Sequence, residues 1–171
     1  LCLSELRSLG KKDMRGAPTT GMLSKGDEAP DFTVETTEGE FTLSEAPSPV
    51  VIFFFPKAGS KVCTKEACSF RDSLDEFVGH DATVVGISTN DDLDRLHDFA
   101  DEHDLDYPLV SDKTGELSDR YGLSGFLGLS QKAKRATFVV DDGVVVEVVK
   151  GLFSADKHVE KSLDAIANEI T

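Results

Sequence analysis

Nothing in this sequence approaches the run of about 20 apolar residues that a membrane-spanning helix requires, so no membrane role is expected. Cysteine is scarce, three residues in 171, and one of them, Cys2, lies in an unpatterned terminus. That is not the cysteine framework of a secreted, disulfide-stapled domain, and it points to a reducing, cytoplasmic setting. Bases are few as well: 18 against 32 acids, for a net charge of −14. Nucleic acid and anionic membrane surfaces both require a basic face, so neither is expected as a partner. Several signatures are missing. There is no C-x-x-C and no G-x-S-x-G. Gly122, Gly125 and Gly128 do not have the spacing of a phosphate-binding G-x-G-x-x-G. His80, His97, His103 and His158 show no metal-ligand spacing to one another or to the cysteines, so no zinc site is expected.

What is present is one domain's worth of patterned chain. Residues 1–21 are broken by Gly10, Gly16 and Pro18 and carry four bases against two acids, so the remaining residues hold −16. They contain no apolar stretch of the secretory type. The expectation is a disordered or untranslated extension, with the domain opening at Met22 and filling residues 22–171. Asp31 to Thr36 and Glu40 to Leu43 alternate around Glu38-Gly39, predicting an edge hairpin. Ala82 to Thr89 reads as a buried strand. A helix to about Glu102 follows, with Ser88, Asn90 and Asp91 offered as caps and Asp91, Asp92 and Asp94 as acids suited to a helix start. Tyr107 to Val110 is a short strand, Thr114 to Tyr121 a short helix, and residues 122–134 a glycine-containing loop. Arg135 to Val140 and Val144 to Val149 are strands joined by Asp141-Asp142-Gly143, a hairpin signal. A last helix from Ser154 to Ile170 puts Val159, Leu163, Ile166 and Ile170 on one face. Alternating strands and helices imply an α/β fold with a mixed central sheet and helices on both faces.

The most informative stretch is VIFFFPKAGSKVCTKEACSFRD, Val51 to Asp72. Five apolar residues closed by Pro56 predict a strand buried on both faces. From Lys61 a helical pattern places Cys63, Ala67, Phe70, Leu74 and Phe77 on one inward face. Cys63 thus falls in the first turn of a helix that follows a buried strand. The unpaired N–H groups and the dipole there favour a thiolate over a thiol, and Lys57, Lys61 and Lys65 add positive charge. Two readings stand side by side, a reactive sulfur and a small buried hydrophobe. Cys68 lies five residues on, about 7.5 Å along the axis. The two α-carbons are then about 8–9 Å apart, too far for a disulfide unless the helix locally unwinds. The alternative is a spectator thiol. Arg135, at the head of a buried strand, needs an anionic partner if it is inside, and is an exposed strand-end arginine if it is not.

Pro56, Ser60 and Cys63 form P-x-x-x-S-x-x-C, which continues into Cys-Thr-Lys-Glu-Ala-Cys and Phe-Arg-Asp. From about Met22 onward the chain resembles the peroxiredoxins, in particular the atypical two-cysteine peroxiredoxin Q or bacterioferritin-comigratory subfamily. The resemblance implies a thioredoxin fold and a thiol peroxidase acting on hydrogen peroxide and organic hydroperoxides. It implies that Cys63 is the peroxidatic cysteine and Cys68 the resolving one. Ser60, Arg135 and backbone N–H groups would hold the peroxide, Pro56 would shield the sulfur, and Glu66 would position Arg135. Thioredoxin or a similar dithiol protein would be the reductant. No metal or organic cofactor is implied, because sulfur supplies the electrons, and a monomer is expected. Lys61-Val62 replaces the Pro-Gly that many members carry, and Ser60 stands where threonine is usual. The competing functions are a general thiol–disulfide oxidoreductase, against which the missing C-x-x-C counts, and a redox sensor that oxidises without turnover.

The acids are dispersed over helices and turns rather than gathered in a tail. Such a surface repels itself in dilute buffer and is relieved by screening, which suits a high-salt cytoplasm. The expected result is a melting temperature that rises up to molar salt; indifference to salt would refute the reading.

Overall fold

The computed structural model describes residues 23–123, 135–150 and 155–170. The strands are β1 (Thr33–Thr36), β2 (Gly39–Thr42), β3 (Val50–Phe55), β4 (Thr83–Ser88), β5 (Leu109–Ser111), β6 (Ala136–Asp141) and β7 (Val144–Lys150). They form one seven-stranded sheet in the order β2-β1-β5-β4-β3-β6-β7. The central strands β3, β4 and β5 are parallel, and the flanking pairs antiparallel. The helices are α1 (Lys61–Asp72), α2 (Leu74–Gly79), α3 (Leu93–His103), α4 (Glu116–Arg120) and α5 (Ala155–Ala165), the last continuing into a π-helical turn, Ile166–Ile170.

All six residues of β3 are buried, as a strand with covered faces on both sides of a sheet must be. Its alternation divides the core. Val51, Phe53 and Phe55 pack under α1, α2, α3 and α5 with Cys63, Ala67, Phe70, Phe77, Leu96, Phe99 and Val159. Val50, Ile52 and Phe54 point the other way, toward Leu23, Phe32, Leu117, Tyr121 and Phe138. That second face is covered by α4 and the N-terminal segment, which is tied down by Leu23 N–H to Tyr121 O and Tyr121 Oη to Pro30 O. The expected mixed sheet with helices on both faces is present, with most of the helix on the side that carries Cys63.

The Asp-Gly hairpin is confirmed in detail. Asp142 and Gly143 have φ of 52° and 82°, the two left-handed residues that match the twist of paired strands. The Glu38-Gly39 hairpin is at the sheet edge as expected.

Four expectations need correction. The helix expected to run unbroken to Phe77 is two, because Ser73 (φ −102°, ψ 6°) ends α1. The break keeps Phe70 and Phe77 in phase, ring centroids 5.7 Å apart, so the apolar period does not reveal it. The cap of α3 is Asp92, whose side chain accepts from Arg95 N–H, and not Ser88, Asn90 or Asp91. The strand expected at Tyr107 to Val110 is Leu109–Ser111, because Tyr107 turns its ring into the core under β3. Strand β6 begins at Ala136, so Arg135 immediately precedes it. The loop expected at residues 122–134 lies almost wholly outside the described residues, as does the extension at residues 1–21.

Gly86 sits in β4 between Phe53 of β3 and Leu109 of β5. A Cβ there would meet Phe53 Cζ at 2.7 Å and Leu109 Cδ2 at 2.9 Å. Phe53 cannot retreat, because it is stacked on Phe70 of α1 at 4.4 Å. Gly86→Ala is therefore expected to lower stability by roughly 1–3 kcal/mol in urea unfolding. Unchanged stability would show that the ring stack yields freely.

Candidate active site

Strand β3 delivers the chain to a short loop, and the loop starts α1. Ser60 is the N-cap: its backbone is extended and its Oγ accepts from Cys63 N–H at 3.3 Å while donating to Lys57 O at 3.2 Å. The loop is held from the neighbouring strand end. Asp91 is buried and its Oδ2 accepts from Ala58 N–H at 2.6 Å and from Ser88 Oγ at 2.5 Å. Pro56 O accepts from Asn90 Nδ2 at 2.6 Å. Lys57, Lys61 and Lys65 are exposed.

Cys63 is fully buried. Arg135 Nη2 reaches its sulfur at 2.9 Å, and Nη1 of the same guanidinium donates to Glu66 Oε1 at 2.9 Å. Both arise from simple periodicities. Glu66 is three residues after Cys63, so the two side chains share a helix face. Arg135, Thr137 and Val139 alternate onto the α1 face of the sheet, and the antiparallel pairing of Ala136 with Phe54 brings Arg135 to the end of β3 where the Cys63 loop begins. Of the two readings of Arg135, the buried and paired one is observed.

Burial dominates the electrostatics of Glu66. Loss of water pushes its carboxyl up from the ordinary 4.5 to about 7, against the opposing pull of the Arg135 charge and hydrogen bond. Its Oε2 has no hydrogen-bond partner among the described residues. His158 Nδ1 of α5 stands 3.6 Å from that oxygen, and the same nitrogen is 2.7 Å from Thr137 Oγ1.

Cys68 lies on the same unbroken helix, half-buried, and both cysteines are free thiols. The helix around it is anchored by Tyr107 Oη, which donates to Ala67 O at 2.7 Å, and by Arg71 Nη1, which donates to His103 O at 2.7 Å. The structure thus gathers Cys63, Glu66 and Arg135 into one contact set, with Ser60 and Pro56 in the loop that leads to it. It leaves Cys68 outside that set. Asp91 and His158 went unrecognised in the sequence. Asp91 looked like one more acid at a helix start. His158 falls one residue before Val159 on the inward side of α5, with Ser162 one turn on, and that helical phase is the signal that marks it.

A model of the AhpC/TSA family matches residues 25–149. A Mycobacterium tuberculosis protein whose name places it among the peroxiredoxins is 40% identical over 146 residues, which is 82% of this chain and 94% of that protein. The chloroplastic peroxiredoxin Q of Oryza sativa subsp. japonica is 35% identical over 146 residues, 84% of this chain and 66% of the relative. Among solved structures, the peroxidoxin BcpB of Mycobacterium tuberculosis matches with a TM-score of 0.78 at 41% identity, over 85% of this chain and 97% of that one.

A carboxyl that holds its proton more tightly when folded than when unfolded makes the native state less stable as pH rises between the two values, here from 4.5 to about 7. Below that window there is no penalty, and above it the penalty is constant. Glu66→Gln removes the titration. The stability of this variant relative to the parent, measured by urea unfolding of the reduced protein, is expected to increase from pH 5 to pH 7.5. Parallel curves would mean that Glu66 is ionised throughout.

Proposed function

The chain belongs to the AhpC/TSA family and is a peroxiredoxin, a thiol-dependent peroxidase of thioredoxin-like fold, and from that premise we propose that Cys63 is its peroxidatic residue and Cys68 its resolving one. The observation that carries the reading is the Arg135 guanidinium, shared at 2.9 Å by the Cys63 sulfur and the Glu66 carboxylate.

The proposed substrates are hydrogen peroxide and organic hydroperoxides. The Cys63 thiolate attacks the terminal oxygen of the hydroperoxide; a sulfur–oxygen bond forms, the oxygen–oxygen bond breaks, and the departing alkoxide or hydroxide takes up a proton. The positive charge of Arg135 and its N–H groups lie where negative charge builds on those oxygens. The Ser60 hydroxyl contributes after turning away from Lys57 O, Pro56 keeps water from the sulfur, and Glu66 orients the guanidinium. Cys68 then attacks the sulfenic sulfur, expelling water and leaving a Cys63–Cys68 disulfide. A dithiol protein of the thioredoxin type returns both to thiols by exchange. Within one intact helix the two sulfurs cannot bond, so the first turns of α1 must open during each cycle. The reading includes a monomer working in a reducing cytoplasm, with residues 22–171 as the working unit. No described helix is long and apolar enough to cross a membrane.

Three variants test the assignment. Cys63→Ser is expected to abolish peroxide consumption. Cys68→Ala is expected to reduce one equivalent of peroxide and then stall in a thioredoxin-coupled assay. Arg135→Ala is expected to slow oxidation of Cys63 by about a hundredfold or more, read by single-turnover kinetics. Full turnover by Cys68→Ala with thioredoxin would eliminate the two-cysteine route, and slow stoichiometric oxidation of the parent protein would point instead to a sensor.

A further inference from the structure

Behind the sulfur lies a second, wholly buried layer, of which the proposed chemistry uses only Glu66. Glu66, Thr137, His158 and Ser162 are all 0–1% exposed. Glu66 spends one oxygen on Arg135, and the other, Oε2, is a buried acceptor without a hydrogen bond among the described residues. Such an atom is costly unless it carries a proton or gains a donor. His158 Nδ1 stands 3.6 Å away and would need to close by only about 0.6 Å to reach hydrogen-bond range. His158 is itself fixed: Thr137 Oγ1 is 2.7 Å from Nδ1, and Ser162 Oγ donates to the His158 carbonyl at 2.6 Å.

Charge counting gives this layer a role. A thiolate on Cys63 and the guanidinium of Arg135 sum to zero. If Glu66 and His158 together hold one proton beyond carboxylate and neutral imidazole, they too sum to zero. This is true whether the pair is carboxylic acid with neutral imidazole or carboxylate with imidazolium. If that proton is lost, a buried carboxylate competes with the thiolate for one guanidinium. In a medium of low dielectric such an uncompensated charge is expensive.

Building on the peroxidatic assignment of Cys63, we propose that His158 is a positioning residue of the site, sharing one proton with Glu66 so that the Arg135 guanidinium stays committed to the sulfur. The raised proton affinity of Glu66, caused by its burial, fits this. Among the described residues, the charged and polar groups around His158 allow it. From α1 comes Glu66, and from the sheet face come Arg135 and Thr137. Glu147 of β7 pairs with Val139 on that face, and its carboxylate accepts from Val148 N–H. On α5 itself Asp156, Lys157, Glu160, Lys161 and Asp164 are exposed, and Asp156 accepts from Ser69 Oγ.

The decisive comparison is the parent protein against His158→Asn, whose side-chain amide can replace the hydrogen bond at Nδ1 but cannot hold the proton. The measurement is the rate constant for oxidation of Cys63 by hydrogen peroxide, by stopped flow from pH 6 to pH 8. The parent-to-variant ratio is expected to be near one at pH 6 and to grow to about tenfold at pH 8, because Glu66 alone releases its proton earlier than the pair does. A ratio that is unity throughout, or a deficit that does not change with pH, makes His158 a packing residue and overturns the proposal. A reading that needs no folded His158 variant is nitrogen NMR of histidine-labelled protein. The His158 ring resonances are expected to shift on Glu66→Gln in the reduced state, and no shift would equally overturn it. Failure of the peroxidatic assignment has a different signature, an absence of fast oxidation in the parent itself.

Discussion

The structure turns on one guanidinium. Arg135 places two of its nitrogens, both at 2.9 Å, on a sulfur and a carboxylate that are themselves removed from water. A buried arginine alone would not be tolerated, and a buried carboxylate alone would be costly as well. The planar fork of arginine lets a single side chain reach both partners in fixed directions. Lysine, a point charge on a flexible stem, could not hold the same two distances at once.

The sheet makes that meeting possible. The site draws on two strands that are adjacent in space but far apart in the chain, β3 and β6. Their antiparallel pairing puts the start of one beside the end of the other. From the end of β3 the chain enters the Cys63 loop, and just before β6 stands Arg135. Asp91 performs the corresponding task from the other neighbour, β4, pinning the loop through the Ala58 N–H. The loop is thereby held from just after β4 and the start of α1 from just before β6, while the large aromatic core beneath, Phe53 on Phe70 above all, keeps α1 seated on the sheet.

Much of this was legible in the residues, and the limit is instructive. The continuous apolar run of β3, the helical stripe from Cys63, the Asp142-Gly143 turn and the spacing of Pro56, Ser60 and Cys63 are local signals, and each has its structural counterpart. Arg135 was half legible: the pattern shows a charge entering a buried strand but not which anion awaits it. The break at Ser73 was invisible because it preserves the phase of the apolar stripe. Asp91 and His158 were missed for a shared reason. Each is a polar residue whose surroundings come from an element distant in sequence, so composition near it is silent. An acid beside Asp92 and Asp94 looks like surface charge until the Ala58 N–H is seen to end on it.

The helix that builds the site is also the one the two-cysteine route has to disturb, and its contacts are unevenly spread. The second half of α1 is held firmly: Phe70 is stacked in the core, Tyr107 bonds the Ala67 carbonyl, and Arg71 reaches the end of α3. The first turn has less. Lys61 and Val62 are exposed, and the side-chain cap is one hydrogen bond of 3.3 Å, donated by Cys63 N–H to the exposed Ser60. That turn is also held by the contact of Arg135 Nη2 with the Cys63 sulfur at 2.9 Å. If Cys63 is oxidised as proposed, its thiolate gives way to a neutral sulfenic acid and that contact weakens, leaving the guanidinium to Glu66. On the proposed route the chemistry therefore loosens the turn it has just used, at the end of the helix where least else resists, while the anchored half keeps Cys68 in place to receive it.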